Sequence, residues 1–344
     1  MKSKLLLTPT TDMSQEDWLR FRTRGIGASD VGTVMGFNPY KSSIELYYEK
    51  IGEDIGYNVE NIYMFMGKEQ EPLLADMWQY WDPHAADDHV ATMIKNYRSK
   101  NVVRRCQKVN AYVQNPAYPW LFVSLDRKIN KTTARGEGAL ELKTIAGHES
   151  DKWEGGIPPS HVVQVQTQLL VCEFDHGELA TLKNGREFNV LPFTYNKSIC
   201  GAIIDRTKEF WDRVVEGRRL ATVRYDAMRN HNQRLVDECN AKLQKIEPEP
   251  DGSEAYSDFL KEKYRIARPG EMAGTLENLQ IAREHLDVKS RITELQNTAR
   301  LKENQLKQVL RDGADRMDWG TSGYISWKTD ANGVRRFLNK VKEK

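Results

Sequence analysis

The spacing of hydrophobic positions changes along the chain, and each change predicts a different kind of element. From Ser14 to about Arg24 the pattern is helical, with Ser14 as N-cap and Asp17 in a capping-box-like position. The small-residue run Gly25-Ile26-Gly27-Ala28-Ser29-Asp30 reads as a turn leading into a second short helix that ends near Gly36. Asn38-Pro39-Tyr40 breaks the chain, and Ser42 or Ser43 caps a third helix through Lys50. A fourth helix is predicted from about Ile62 to Trp81. From Val102 the apolar positions alternate, first loosely to Val113, then in the strand-like runs Trp120–Ile129 and Ala139–Ile145. The polar loop Asn130–Gly138 would close those two runs into a hairpin. Pro158-Pro159-Ser160 opens a helix through about Cys172, and two strands, Gly177–Lys183 and Glu187–Tyr195, turn at Asn184-Gly185.

Beyond residue 195 the alternation stops. Lys197 to about Lys245 is a long helical stretch, closed by the breaker run Glu247-Pro248-Glu249-Pro250-Asp251-Gly252. Leu276, Leu279, Leu286, Ile292, Leu295, Leu306 and Leu310 punctuate a second, highly charged helix without a strict heptad. An antiparallel helical hairpin or short coiled coil is expected, and Trp319–Leu338 is expected to end the chain as a hairpin turning at Asn332-Gly333. The predicted organisation is an α/β (α+β) core over residues 1–200 and a helical arm with a terminal β-hairpin over residues 201–344.

Composition narrows the class. With 344 residues and 39% hydrophobic content the chain can bury a core, so global disorder is excluded. The net charge of +2 is uninformative, but its distribution is not. From His89 to Arg135 the basic residues are Lys95, Arg98, Lys100, Arg104, Arg105, Lys108, Arg127, Lys128, Lys131 and Arg135, and the only acid is Asp126. Tyr97, Tyr112, Tyr118 and Trp120 are interleaved among them, a pattern that suits a polyanion as well as a solvated basic face. Cys106, Cys172, Cys200 and Cys239 are too scattered for a zinc knuckle or a disulfide scaffold. Leu5, Leu6 and Leu7 are too short a run for a signal segment, and no run reaches membrane length, so a soluble cytoplasmic protein is expected.

The chemistry concentrates in Glu141-Leu142-Lys143. On a strand, Glu141 and Lys143 share a face while Leu142 points to the other. Asp126 on the preceding strand would pair opposite Glu141. Two carboxylates on one face repel unless a cation lies between them, and oxygen ligands favour Mg²⁺ or Mn²⁺. A lysine beside them can orient or deprotonate a water, which together is machinery for phosphodiester hydrolysis. An isolated Glu-x-Lys is more often a salt bridge, but this strand is otherwise apolar, and charges there require a partner or a purpose. His148 and His161 flank the motif and are assigned to no metal. There is no P-loop for ATP hydrolysis.

Further motifs occur in order: Trp18, Arg22, Gly25 to Asp30, Gly36 with Asn38-Pro39-Tyr40, then Gly67-Lys68-Glu69-Gln70-Glu71-Pro72, Asp126, Glu141-Leu142-Lys143-Thr144, and Pro158 through Gln168. Together they resemble the YqaJ-like viral recombinase family, which is similar to the phage lambda exonuclease and belongs to the PD-(D/E)xK nucleases. The resemblance implies a restriction-endonuclease-like mixed sheet flanked by helices. It implies that Asp126 and Glu141 bind the metal with the Leu142 carbonyl, that Glu71 assists a second metal position, and that Lys143 sits beside the nucleophilic water. Gln164 would complete the site, with Gln168 a weaker candidate one turn on. Arg22 and Ser29 match residues that grip a terminal 5′-phosphate, with Arg24 a competitor for Arg22. Trp120 and Trp153 are candidates for base stacking, with the core the commoner placement.

The implied activity is a Mg²⁺-dependent 5′→3′ exonuclease on double-stranded DNA ends, leaving 3′ single-stranded tails for phage-type recombination. A ring-shaped homotrimer and a single-strand annealing partner are implied with it. The rivals are an endonuclease or structure-selective nuclease on the same core, and a non-catalytic DNA-binding scaffold.

Overall fold

The computed structural model describes residues 4–53, 61–86, 88–266 and 270–342. The chain opens with β1 (Leu6–Pro9), α1 (Gln15–Thr23), β2 (Ile26–Gly27), α2 (Ala28–Val34), α3 (Ser43–Ile51), α4 (Ile62–Tyr80) and α5 (His89–Ser99). Caps set several of these boundaries. Ser14 accepts the Asp17 N–H at 3.1 Å, and Ser42 accepts from Glu45 at 3.3 Å. Gly52, at φ +84°, takes the left-handed conformation that ends α3. Helix α5 was not among the predicted elements and lies at the start of the basic stretch.

The strands follow as β3 (Cys106–Gln107), β4 (Ala111–Gln114), β5 (Leu121–Ser124), β6 (Arg127–Ile129) and β7 (Gly138–Ile145). Next come α6 (Pro159–Cys172), β8 (His176–Lys183) and β9 (Glu187–Thr194). Two sheets result. One has the order β1-β4-β5-β2, the other β3-β6-β7-β8-β9. In the second, β7 and β8 are parallel and its other pairs antiparallel. Parallel neighbours need a crossover, and α6 supplies it. The predicted Trp120–Ile129 strand is therefore two strands in different sheets, hinged at Leu125-Asp126. The fold is a mixed α/β arrangement of mixed sheets flanked by helices.

Helices α7 (Lys197–Arg229), α8 (Gln233–Ile246) and α9 (Glu254–Lys263) complete the first compact unit, Met1–Ile266. Buried Cys200, Ile203, Phe210, Val214 and Leu220 of α7 recur at helical spacing and enter the main core beside Tyr47, Val165 and Leu169. The compact division lies between Ile266 and Ala267, where the hydrophobic pattern had placed it at residue 200. Within this unit α7 turns back at His231, φ 53°, and packs on α8. The second unit, Ala267–Lys344, holds α10 (Leu276–Leu310), β10 (Arg316–Asp318), β11 (Gly323–Thr329) and β12 (Arg335–Val341). Leu276, Leu286 and Leu295 of α10 are exposed, while Leu310 and Ile325 are buried. Gly333, at φ +79°, makes the expected turn between β11 and β12.

Candidate active site

The β6–β7 register pairs Arg127 with Leu140, so one further step sets Asp126 against Glu141. Asp126 lies where the chain leaves the first sheet for the second, outside both ladders. Its Oδ2 accepts the Leu142 N–H at 2.8 Å, which fixes the carboxylate over the middle of β7. Glu141 is only 1% exposed despite its charge. Its Oε1 lies 2.6 Å from Lys143 Nζ and accepts from Gln164 Nε2 at 2.6 Å, while Oε2 accepts from Gln168 Nε2 at 2.6 Å. The two glutamines are four residues apart on α6 and so share its sheet-facing side.

This wiring explains the electrostatics. Burial, then the neighbouring Glu141, push the Asp126 carboxyl well above the usual carboxylate range, against the pull of Lys143 and the Leu142 N–H. Burial disfavours the Lys143 ammonium, but Glu141 and Asp126 outweigh it and raise its pKa. Lys143 is therefore a cation clamped on Glu141. Two carboxylates forced together and short of positive charge suit a hard divalent cation, and the all-oxygen donor set fits Mg²⁺ or Mn²⁺.

Glu71 reaches this cluster indirectly. Its carboxylate is ion-paired with Arg127, whose Nη1 also donates to the Asp126 carbonyl at 2.5 Å. Among the described residues no group of three or more His, Cys, Asp or Glu is gathered to hold a metal. Of the expected ligands, Asp126 and Glu141 converge, and Glu71 is engaged by Arg127 instead of joining them. Leu142 contributes its N–H to Asp126, and its side chain packs with Leu140, Trp78 and Phe188.

The proposed phosphate grip is divided. Arg22 is bonded to Asp30 at 2.8 Å and lies over the Trp18 ring, 5.0 Å from its centroid. Asp30 also binds the fully buried Lys50 at 2.9 Å and accepts the Gly27 N–H at 3.2 Å. Burial opposes ionisation of Asp30, yet Lys50 and Arg22 together hold its carboxyl well below the usual range. Arg22 is thus committed to an internal acid, whereas Ser29 is exposed and opens on a cleft of about 560 Å³ shared with Lys143 and Gln164. Arg24 is exposed at the end of α1.

The basic stretch does not form one face. Arg104 Nη1 donates to both carboxylate oxygens of buried Glu178 at 2.8 and 2.7 Å, and Lys128 pairs with Glu137 at 2.7 Å. Lys95, Arg98, Lys100, Arg105, Lys108, Lys131 and Arg135 remain exposed. Trp120 is structural: its indole N–H donates to Thr207 Oγ1 of α7 at 3.0 Å. Trp153 packs partly on the core but also lines the cleft, stacked on His161 at 5.2 Å. The side chain of His148 lies outside the described residues. Tyr40, within the Asn38-Pro39-Tyr40 motif, and Arg127, within the basic stretch, had been given no role in the site, and Glu149 and Lys152 carry no local sequence signal that separates them from surface positions.

Fold and site together define a mixed α/β domain with an acid–lysine–glutamine cluster at the seam of two sheets. Residues 17–175 match the YqaJ-like viral recombinase domain, and that segment is similar to this family. The chain is 27% identical over 313 residues to protein YqaJ of Bacillus subtilis (strain 168), covering 89% of this chain and 82% of that one. It is 26% identical over 187 residues to protein R354 of Acanthamoeba polyphaga mimivirus, covering 51% and 30%. Among solved structures it is similar to an alkaline exonuclease, LHK-Exo, of Laribacter hongkongensis (14% identity, TM-score 0.44, 62% of this chain and 100% of that chain). It is also similar to a phage-related exonuclease of Haemophilus somnus 129PT (10% identity, TM-score 0.35, 58% and 98%).

Proposed function

We propose that this chain is a metal-dependent deoxyribonuclease that digests double-stranded DNA from its ends, 5′→3′, and leaves 3′ single-stranded tails for phage-type recombination. The observation that carries the reading is the convergence of Asp126, Glu141 and Lys143 with Gln164 and Gln168 in one hydrogen-bonded cluster. Asp126 and Glu141 would hold the cation with the Leu142 carbonyl, while Glu71 would have to give up its pairing with Arg127 to serve a second metal position. Bound Mg²⁺, or Mn²⁺ in its place, supplies Lewis-acid polarisation of the phosphate and activation of water. Gln164 and Gln168 keep Glu141 in one orientation, so the carboxylate is in place before substrate arrives. Lys143 holds positive charge beside the phosphate, where negative charge grows as water adds to phosphorus and the P–O bond breaks. The match of residues 17–175 to the YqaJ-like viral recombinase domain supports a role in recombination. The direction and the grip on a 5′-phosphate by Arg22 and Ser29 rest on the resemblance, as do a homotrimer, an annealing partner and a cytoplasmic site of action.

The commitment of Arg22 to Asp30 favours a second reading, an endonuclease without a dedicated end pocket. Linear duplex labelled at either end, with and without 5′-phosphate, and closed circular duplex separate the two in Mg²⁺. Digestion from 5′-phosphorylated ends, slowed by Arg22→Ala and Ser29→Ala, is expected. Nicking or linearising of the circle at a comparable rate would overturn the exonuclease reading.

A further inference from the structure

The cleft that reaches Lys143 and Gln164 has aromatic walls away from them. Phe37 and Tyr40 are 41% and 63% exposed, large values for such side chains. Exposed aromatic rings are ordinarily mobile, but Tyr40 is held. Its hydroxyl donates to Glu149 Oε1, Lys152 Nζ donates to that same hydroxyl, and the ammonium lies over the ring, 4.2 Å from the centroid. Trp153 is held too, its indole stacked on His161 with an interplanar angle of 25°. Burial, then Lys143, push the His161 pKa down to about 4, so the ring behind Trp153 is uncharged at neutral pH. Two anchored aromatic rings thus stand in one cleft of about 560 Å³ with the hydrolytic lysine. That size lies within the usual range for small-molecule sites, roughly 300–1,000 Å³.

We infer that this aromatic end of the cleft is a nucleobase subsite, holding by stacking on Trp153 and Tyr40 the base of a nucleotide beside the scissile phosphate. The inference rests on the nuclease reading and says which part of the substrate the site grips. Its continuity with Lys143 and Gln164 commits the occupant to the strand being cut. Stacking suits such an enzyme because every base offers a π-face, so grip is gained without sequence preference. Holding the rings beforehand lowers the ordering cost of binding. Lys152 and Glu149 have a stated task here: they fix Tyr40.

The test uses the full chain and short duplexes in which one nucleotide near the 5′ end is abasic, moved through successive positions. Cleavage at the adjoining phosphate is timed for wild type, Trp153→Ala, Trp153→Phe and Tyr40→Ala. Wild type is expected to slow about tenfold when the base is missing at one position only. Trp153→Ala should slow on intact DNA by a similar factor and lose the discrimination against the abasic position, while Trp153→Phe retains most of both. If Trp153→Ala does not fold, Tyr40→Ala, altered at an exposed ring, carries the same comparison. Wild type that cuts every abasic duplex as fast as intact DNA would overturn the subsite while leaving the nuclease reading standing. Variants that keep full rate and full discrimination would also overturn it and leave these rings to a protein partner. A wild type that cuts no DNA in Mg²⁺ or Mn²⁺ overturns the nuclease reading, and the subsite with it.

Discussion

At the scale of single residues, the site is a charge problem solved by hydrogen bonds. Glu141 is buried, and its oxygens are satisfied by one ammonium and two side-chain amides. Lys143→Ala should therefore abolish most Mg²⁺-dependent digestion, a loss on the order of 10²–10⁴-fold, while DNA binding measured in Ca²⁺ persists. Gln168→Leu behaves differently, because the Gln168 side-chain amide donates to Glu141 Oε2 from a fully buried position off the cleft. It should cost about 1–3 kcal/mol in a thermal or urea melt and weaken Mn²⁺ binding measured calorimetrically without DNA. Gln168→Glu should be worse than Leu, since it places a second carboxylate against Glu141. Asp30 gives a pH prediction. Its folded pKa is depressed, so its contribution is fully present above the unfolded value of about 4 and is lost as pH falls through the folded value. Lys50→Met should lower stability at pH 7 by about 3–5 kcal/mol, because it leaves a buried carboxylate short of a partner. The deficit should shrink below about pH 4; a constant deficit down to pH 2 would show that lost packing, not charge, is responsible.

At the scale of elements, the crossover helix α6 decides whether the glutamines reach β7. It lies close on the β7–β8 pair because Gly177 has no side chain. A Cβ there would meet the Ala139 carbonyl oxygen at 2.9 Å and Leu169 Cδ2 at 3.1 Å. The first contact is backbone and has no easy retreat. Gly177→Ala should cost roughly 1–3 kcal/mol in melting experiments and lower kcat more than it raises KM, since it shifts α6 and with it Gln164 and Gln168. The sharp hinge at Leu125-Asp126 is the other decisive element. Were residues 120–129 one straight strand, Asp126 would be locked into a ladder; the switch between sheets releases it to lie over β7.

At the scale of the whole molecule, all the proposed catalytic residues lie in the unit ending at Ile266. Truncation after Ile266 should leave a folded protein that still cleaves short duplexes in Mg²⁺. Truncation after Cys200 should give a chain with no cooperative melt, because it removes Ile203, Phe210, Val214 and Leu220 from the core. Circular dichroism melts of the two truncations distinguish these outcomes directly. Four free cysteines are expected to titrate with a thiol reagent in denaturant, three of them protected in the native state by burial.

Local sequence determined much of this molecule. Ser14, Ser42, Asn184-Gly185 and Asn332-Gly333 set caps and turns through their own backbone preferences, and these need no distant partner. Glu141 and Lys143 lie on one face because a strand alternates, and Gln164 and Gln168 share a side because a helix repeats. Tertiary structure decided what those periods cannot carry. Arg127 took Glu71 away from the acids, Asp30 took Arg22, and Trp153 was placed between the core and the cleft. The long helix after residue 195 was legible, but its membership of the core was not. Each of these depends on which side chains meet once the elements pack, from eight residues apart for Arg22 and Asp30 to 56 for Arg127 and Glu71, and charge pairing and burial are settled only where the packed elements bring those groups together.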